Sequence, residues 1–498
     1  MSVILVIDTG SSSMRGMLFD HTGQLRYTVS EHYVMRTHGI EAEYLPEDFE
    51  HALLGITRNA ASFAKSAGIR IDALSFTSQR SSTMPVDRLG RPLDTIMTWY
   101  DKRAAQICDD MNQTHGALLF ETAGMQASPV LSAPKISWLR SNKPAVYDEA
   151  YKIIGIQDYL IFLCTGEFIT DASLASRSNL MDVRTKTWSA SLLSLWQIDR
   201  DKLCTLVPPM TQIGRITENF SVKTGLDIGT RVIAAGGDQQ CSVLGQGLFN
   251  PGNAGVTCGS GSYVAAVCDS PVIDPQHRIN INAAIVPDQW ILEASTLSSG
   301  TVQDWMLRNF FSEQNDALGC LQKEASQSPA GANGLVMLPD LAGKGAPDWD
   351  NYAKGVFWNV TLSTTRGDFA RAMLEGLCGE ITECHAALHS LDGRIGDVRI
   401  TGGLSRFDLF CQILSDMTGG CVTRCSNDET TAVGAYMAAA VALGDCKDLE
   451  EAYSLAVKKS AGAVFTPDRN LHLMYQTANK RRRLLYESIP AQAILEIE

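Results

Sequence analysis

The stretch from Ile233 to Tyr263, with the residues that flank it, constrains this chain more than any other. It begins with an apolar strand, Val232 to Ala235, breaks at Gly236-Gly237, and places one carboxylate, Asp238, just before a helical pattern. A second apolar run, Ala254 to Thr257, turns through Cys258-Gly259-Ser260-Gly261-Ser262 into Tyr263 to Val267. An acid at a strand-to-helix junction beside a turn of small residues suits phosphoryl transfer. The acid can receive a proton, and the turn can offer bare backbone N–H groups to phosphate oxygens. Asp238 also has an ordinary reading, because aspartate is a preferred helix N-cap.

The start of the chain repeats the device. Val3 to Ile7 reads as a strand, Asp8-Thr9-Gly10-Ser11-Ser12-Ser13 as a turn, and Met14 to Asp20 as a returning strand. By itself such a turn is common hairpin chemistry. Paired with Cys258 to Ser262, it predicts two like domains facing a shared ligand. The chain has 498 residues, more than one ordinary core accommodates. The expected domains are therefore residues 1–248 and 249–498, divided near Gly247 to Pro251.

Beyond the hairpins, strands alternate with helical patterns. Glu47 to Gly68 and Thr364 to Leu391 have helical spacing, while Ala73 to Thr77 and Asp397 to Ile400 read as buried strands. That rhythm predicts an α/β fold with mostly parallel pairing and an antiparallel hairpin opening each half. Cys421 to Arg424 reads as an edge strand, and Thr430 to Leu443 as an alanine-rich buried helix. Thr170 to Leu180 reads as a polar loop at the cleft. Lys480-Arg481-Arg482-Arg483 reads as a solvated helix face.

Composition narrows the function classes. Lysine and arginine number 42 against 55 acidic residues, a net charge of −13 that disfavours non-specific nucleic-acid binding. No apolar run reaches membrane-spanning length, so no membrane association is expected. The N-terminus enters a strand at once, with no signal-peptide pattern. The thirteen cysteines lack zinc spacing and their count is odd, which points to reduced thiols and a cytoplasmic protein. Neither a Walker A motif nor a dinucleotide-type G-x-G-x-x-G is present, so any nucleotide must be held by another device.

Further candidates lie along both halves. Arg15 stands a few residues beyond Asp8 and the turn hydroxyls, within reach of phosphate. Gln79-Arg80 and Trp99, Asp101 and Arg103 follow strands of the first half. They can form a sugar pocket, in which a flat aromatic covers C–H faces and forked donors hold hydroxyls; salt bridging and core packing are their structural alternatives. Gln239 adds an amide that both donates and accepts. Gly402-Gly403 after a strand permits close backbone approach to a base or ribose, or simply makes a turn.

Taken in order, Asp8-Thr9-Gly10-Ser11, Gln79-Arg80, Trp99-x-Asp101-x-Arg103, Gly237-Asp238-Gln239-Gln240, Cys258-Gly259-Ser260-Gly261, Gly343-x-Gly345-Ala346-Pro347-x-Trp349-Asp350 and Gly402-Gly403 resemble the FGGY carbohydrate kinase family. The resemblance runs from Val3 to about Gly444. It implies two actin-like (ribonuclease H-like) domains with a catalytic cleft between them, and ATP-dependent phosphorylation of a sugar or polyol hydroxyl. By the same resemblance Asp238 is the general base, and Asp8 helps hold Mg²⁺ through water. Ser11, Ser12, Arg15, Gly259 and Ser260 hold the phosphates of ATP, and Gly300, Gly402 and Gly403 border the nucleotide. Gln79, Arg80, Trp99, Asp101, Asp238 and Gln239 face the small sugar or polyol substrate; a homodimer is left open as the assembly.

Three departures matter. Ser81 stands where glycerol kinases carry a glutamate after the substrate arginine, Val130 where they carry a tyrosine, and Phe407 where an asparagine lies beside adenine. The first two suggest an acceptor other than glycerol. Three other readings compete with the kinase: a non-catalytic sugar or nucleotide sensor on the same fold, a glycosidase using Asp8 and Asp238 as its carboxylate pair, and a chaperone-type ATPase. The sensor has no need of Asp238 as a base, the glycosidase leaves the two turns unexplained, and the chaperone lacks a peptide-binding module.

Overall fold

The computed structural model describes residues 2–457 and 462–489. Its first half is built on a six-stranded sheet of β1 (Ile4–Thr9), β2 (Ser13–Phe19), β3 (Leu25–His32), β4 (Ala73–Ser78), β5 (Thr211–Arg215) and β6 (Arg231–Gly237), in spatial order β5-β6-β4-β1-β2-β3. The second half carries a seven-stranded sheet of β7 (Ala254–Cys258), β8 (Ser262–Cys268), β9 (Asn280–Ala283), β10 (Trp290–Thr296), β11 (Val398–Gly402), β12 (Val422–Arg424) and β13 (Val464–Phe465), ordered β9-β10-β8-β7-β11-β12-β13. In each sheet an antiparallel hairpin, β1–β2 or β7–β8, stands beside parallel neighbours, β4 and β6 or β11 and β12. The expected α/β fold of two like halves is what the chain forms.

The principal helices follow from patterning and caps. Helix α1 (Pro46–Ser66) has proline in its first turn, followed by Glu47 and Asp48 at the positive end of its dipole. Its buried stripe, Phe49, Leu53, Ile56 and Ala60, covers one face of the first sheet together with Leu5 and Ile7 of β1. Helix α2 (Asp238–Gly245) follows β6 directly. Helix α3 (Gly300–Phe310) follows β10, and α4 (Arg366–Leu391) is started by a capping box between Thr365 and Asp368. Helix α5 (Thr430–Ala442) is followed later by α6 (Arg469–Ser488).

Helix α5 crosses between the halves. Ala432, Val433, Ala435, Tyr436 and Ala439 pack with Ile4, Val6, Ala73 and Ile233, so a helix from the second half covers the other face of the first sheet. The alternation along β1 divides accordingly: Leu5 and Ile7 face α1, Ile4 and Val6 face α5. Small residues let α5 also lie directly on α2. A Cβ at Gly245 would strike the Thr430 carbonyl, and one at Gly434 would strike the Cys241 carbonyl. The two helix backbones therefore meet without side chains between them, and α2, which begins at Asp238, is held from below.

Three local expectations are corrected. Residues 170–180 are not an open loop: Ile169–Asp171 is a strand and Ala172–Ala175 a short helix, buried because Asp171 and Ser173 are used inside the protein. Cys421 to Arg424 is not an edge, since β13 pairs on its outer side. The basic run on α6 is not simply solvated. Arg482 is buried and ion-paired with Glu380 and Glu383, while Arg483 pairs with Asp348 and Glu487.

The backbone contact of α2 with α5 yields a stability prediction. Alanine would gain about 1 kcal/mol over glycine in an unconstrained helix. Here the methyl must displace a peptide carbonyl, which costs about 1–3 kcal/mol. Gly245→Ala is therefore expected to lower the denaturation midpoint, and a stabilised variant would contradict the close approach.

Candidate active site

Both hairpin turns and the β6–α2 junction lie at the carboxyl ends of parallel strands. Strand β4 lies between β1 and β6, and Asp8 and Gly236 are both in register with Thr77. Asp8 and Asp238 thus sit on one edge of the first sheet, two strand spacings apart, about 10 Å. That edge is where open α/β sheets present ligand sites.

The first turn is a fixed platform. Gly10 N–H donates to the Ser13 carbonyl at 3.0 Å. The Gly10 carbonyl accepts from Gln79 Nε2 at 3.0 Å and from the Tyr33 hydroxyl, and the Ser11 carbonyl accepts from Tyr44 at 2.6 Å. Trp99 Nε1 donates to Ser11 Oγ at 3.2 Å, which joins the expected sugar-side aromatic to the phosphate-side turn. Ser11 is half-buried and Ser12 is exposed. Asp8 is buried, and burial pushes its carboxyl up against the opposing pull of Arg15, whose Nη2 donates to it at 2.6 Å.

Asp238 is the first residue of α2, and Gly237 occupies the cap position. Its Oδ1 accepts from Gln239 N–H at 2.7 Å and lies 3.7 Å from Arg80 Nε. Burial raises its pKa to about 6, with Arg80 pulling down and Asp8 and Glu293 pushing up. The junction rests on the segment expected to be a loop. Gly237 N–H donates to Ser173 Oγ at 2.9 Å, and that hydroxyl donates to Asp171. Gln240 Nε2 donates to the Ser173 carbonyl at 3.1 Å. Gln239 is half-buried beside Asp238.

The motifs expected on the nucleotide side converge on the second sheet. Gly300 N–H donates to the Gly259 carbonyl at 2.9 Å, and Ser299 N–H to the Ser260 carbonyl at 2.8 Å. Gly402 pairs with Cys258 across β11 and β7, at a φ of 98° that favours glycine. A Cβ at Gly403 would have no atom within 4 Å, so that backbone faces open space. Gly259, Ser260, Gly300, Gly402 and Gly403, scattered over more than 140 residues of sequence, form one patch.

Two expected sugar contacts are placed differently. Asp101 is only 1% exposed; its carboxylate accepts from Ala42 N–H at 2.9 Å and from Arg103 Nε at 3.0 Å. It braces the strand at Ala42 and does not face the cleft. Arg103 in turn pairs with Glu43 at 2.6 Å and lies over Trp138. Arg80 is at the cleft, but its fork is occupied: Nη1 donates to Glu293 Oε2 at 2.8 Å and Nη2 to Glu293 Oε1 at 3.2 Å. Its guanidinium also lies 6.0 Å from the centre of the Tyr263 ring.

Glu293, Arg177 and Tyr263 carry no motif that marks them in sequence. Glu293 lies on β10 of the second sheet, and Arg177 Nη1 approaches it at 3.4 Å. Burial alone would raise this carboxyl, but Arg80 and Arg177 outweigh it and hold it below its ordinary value. Lys135 was equally hidden. It donates to the carbonyls of Ser81, Val130 and Leu131 at 3.0, 2.5 and 3.1 Å, and burial lowers its pKa to about 7. It pins Ser81 and Val130, two of the three positions where departures from glycerol kinases are expected.

Removing Glu293 would leave two buried guanidinium groups with only the more distant Asp238, 3.7 Å from Arg80 Nε, as counter-ion. Glu293→Ala is expected to cost about 3–5 kcal/mol of stability, with Glu293→Gln costing less because it keeps the shape and an acceptor. Chemical denaturation of the two variants checks this, and equal, small losses would show the pair to be solvated.

Comparison with known proteins establishes the family. The model for the N-terminal domain of the FGGY family of carbohydrate kinases matches residues 3–245, and that for the C-terminal domain matches residues 254–443. A glycerol kinase of Bordetella parapertussis is 30% identical over 474 residues, covering 90% of each chain. A gluconokinase of Bacillus subtilis is 27% identical over 457 residues, covering 89% of this chain and 88% of its own. Among solved structures, a gluconate kinase from Lactobacillus acidophilus superposes with a TM-score of 0.93 at 25% identity, covering 100% of both chains. A ligand-bound xylulose kinase from the same organism gives 0.92 at 25% identity over 98% of each. With both domain models matched in order and relatives running nearly its full length, the chain belongs to the FGGY family of carbohydrate kinases.

Proposed function

We propose that this protein transfers the γ-phosphoryl group of ATP to a hydroxyl of a small sugar or polyol, with Asp238 as general base. The observation that carries the reading is the placement of Asp238: it stands at the start of α2, its side chain is 24% exposed, and its pKa is raised to about 6. Such a base is ionised at neutral pH yet strong enough to take an alcohol proton as the new P–O bond forms. The acceptor oxygen attacks the γ-phosphorus, the bond to the β–γ bridging oxygen breaks, the acceptor proton passes to Asp238, and ADP leaves.

On this reading residues 1–248 form the acceptor-binding domain with the base, and residues 249–498 the nucleotide-binding domain. Ser11, Ser12, Arg15 and the Gly259-Ser260 turn hold the phosphates, with Gly300, Gly402 and Gly403 along the nucleotide. Asp8 suits Mg²⁺, which favours hard oxygen ligands and retains waters. It is a buried carboxylate at the cleft edge, with Oδ2 held by Arg15 Nη2 at 2.6 Å. Magnesium would supply charge neutralisation at the phosphates.

Gln79, Trp99 and Gln239 are assigned to the acceptor, with Arg80, whose terminal nitrogens are held by Glu293, beside them. Its size is suggested by Ser81 and Val130, which are smaller than the glycerol kinase residues. A cavity of about 60 Å³ lies behind Gln79 and Ser81, with the unpartnered hydroxyls of Ser82 and Thr83 along it. These features favour an acceptor longer than glycerol. The relatives are named for glycerol, gluconate and xylulose, which leaves the acceptor as a small polyhydroxy compound.

ADP release from Mg·ATP across a panel of pentoses, ketoses, polyols and aldonates tests the reading. One or more compounds should be turned over, and Asp238→Asn should lower kcat by about 10²- to 10⁴-fold while largely sparing acceptor binding. Wild-type-like turnover in the variant would remove Asp238 from the base role, and hydrolysis without ATP would point to a different reaction.

The pH profile is a separate check. The base must be unprotonated, so kcat/KM is expected to be level above a midpoint near 6 and to fall about tenfold per pH unit below it. A profile level down to pH 4 would contradict the raised value.

A further inference from the structure

Glu429 has no place in the motifs above, yet it reaches the phosphate-side turn. It immediately precedes α5, and among the described residues its carboxylate has one side-chain partner, Arg15. Arg15 Nη1 donates to Glu429 Oε2 at 2.7 Å, while Nη2 donates to Asp8 Oδ2 at 2.6 Å. Both terminal nitrogens of the guanidinium, the pair that would grip a phosphate, are thus engaged by carboxylates. A polyphosphate arriving between the two turns meets an arginine that is already occupied.

The two carboxylates are not equivalent. The Asp8 side chain keeps 7% of its surface in solvent and belongs to a central strand. Glu429 and Arg15 keep 36% and 35%, and both have long, rotatable stems. Exchange of partners is therefore easy on the Glu429 side and costly on the Asp8 side. A phosphate oxygen carries the same kind of charge-assisted acceptor as Glu429 Oε2 and can replace it at Nη1 without leaving the guanidinium unpaired.

We propose that Glu429 is a positioning residue that holds Arg15 in reserve, competing with the nucleotide's phosphates for Nη1 and yielding it when a triphosphate binds. The inference rests on the ATP-dependent reading above. It assigns to Glu429 a role in nucleotide affinity and none in contact with the acceptor.

The test compares wild type, Glu429→Gln, Arg15→Ala and the double variant. Calorimetry gives affinities for MgATP and MgADP, and steady-state kinetics gives KM for ATP and for the acceptor. Removing the competitor should tighten MgATP by about two- to fivefold, the value of a partly exposed ion pair. KM for the acceptor should stay unchanged, and the tightening should vanish in the Arg15→Ala background. Weaker or unchanged nucleotide binding in Glu429→Gln overturns the proposal. So does equal tightening without Arg15, which would mark a general charge effect. So does a lower melting temperature with unaltered nucleotide affinity, which would make Glu429 a purely structural residue. If wild type binds no adenine nucleotide, the ATP-dependent reading falls and this inference with it. If wild type binds and the variant does not differ, this inference falls alone.

Discussion

The site depends on burying carboxylates without losing them to protonation or leaving them unpaired. Asp8, Asp238 and Glu293 all lie where two sheets converge, and burial penalises the charged form of each. Arginine is the compensation, because its delocalised charge persists when buried and its planar fork can satisfy two acids at once. Arg15 spans Asp8 and Glu429, and Arg80 spans Glu293 and the approach to Asp238. The balance differs among the three acids in a useful way. Glu293, gripped by Arg80 and approached by Arg177, stays firmly ionised, while Asp238, with one longer-range arginine, is left near the range of a working base.

Mechanical support for that balance comes from small residues and backbone contacts. The peptide turn before Asp238 is held through Ser173 and Asp171, and the helix that begins with Asp238 rests on α5 through Gly245 and Gly434. Helix α5 in turn completes the core of the first sheet, although it is encoded far downstream. Asp238 is thus carried by an element that rests on both halves of the molecule. A displacement of α5 would be felt at Asp238 with no contact between them needing to break, because packed interiors transmit strain.

Much of this was legible in the residues. The two strand–turn–strand units, the helix after Gly237 and the strand ending at Gly402 are local events, set by alternation, small turn residues and breaks in apolar runs, and they appear where expected. That Gly259, Gly300 and Gly402 lie together was implied by the family resemblance, and the backbone bonds among them bear it out. Asp101 and Arg103 were misread because a charged pair after a strand looks the same whether it faces a cleft or braces a neighbouring strand; only Ala42 and Glu43, distant in sequence, decide between them. The Thr170 to Leu180 stretch was misread for a related reason, since small polar residues suit both an exposed loop and a buried hydrogen-bonded support.

What the sequence determined by itself is the repeated α/β plan, the cleft edge on which Asp8 and Asp238 stand, and the glycine and serine turns that can take phosphate. These depend on periodicity and backbone freedom, which act over a few residues. Only the tertiary structure decided which charges meet. Glu293, Arg177, Lys135 and Glu429 carry no local signature, and their roles arise from long-range partners at 2.7–3.4 Å. The physical reason is that a buried charge is governed by the groups within a few ångströms of it, and those groups come from parts of the chain that only folding brings together.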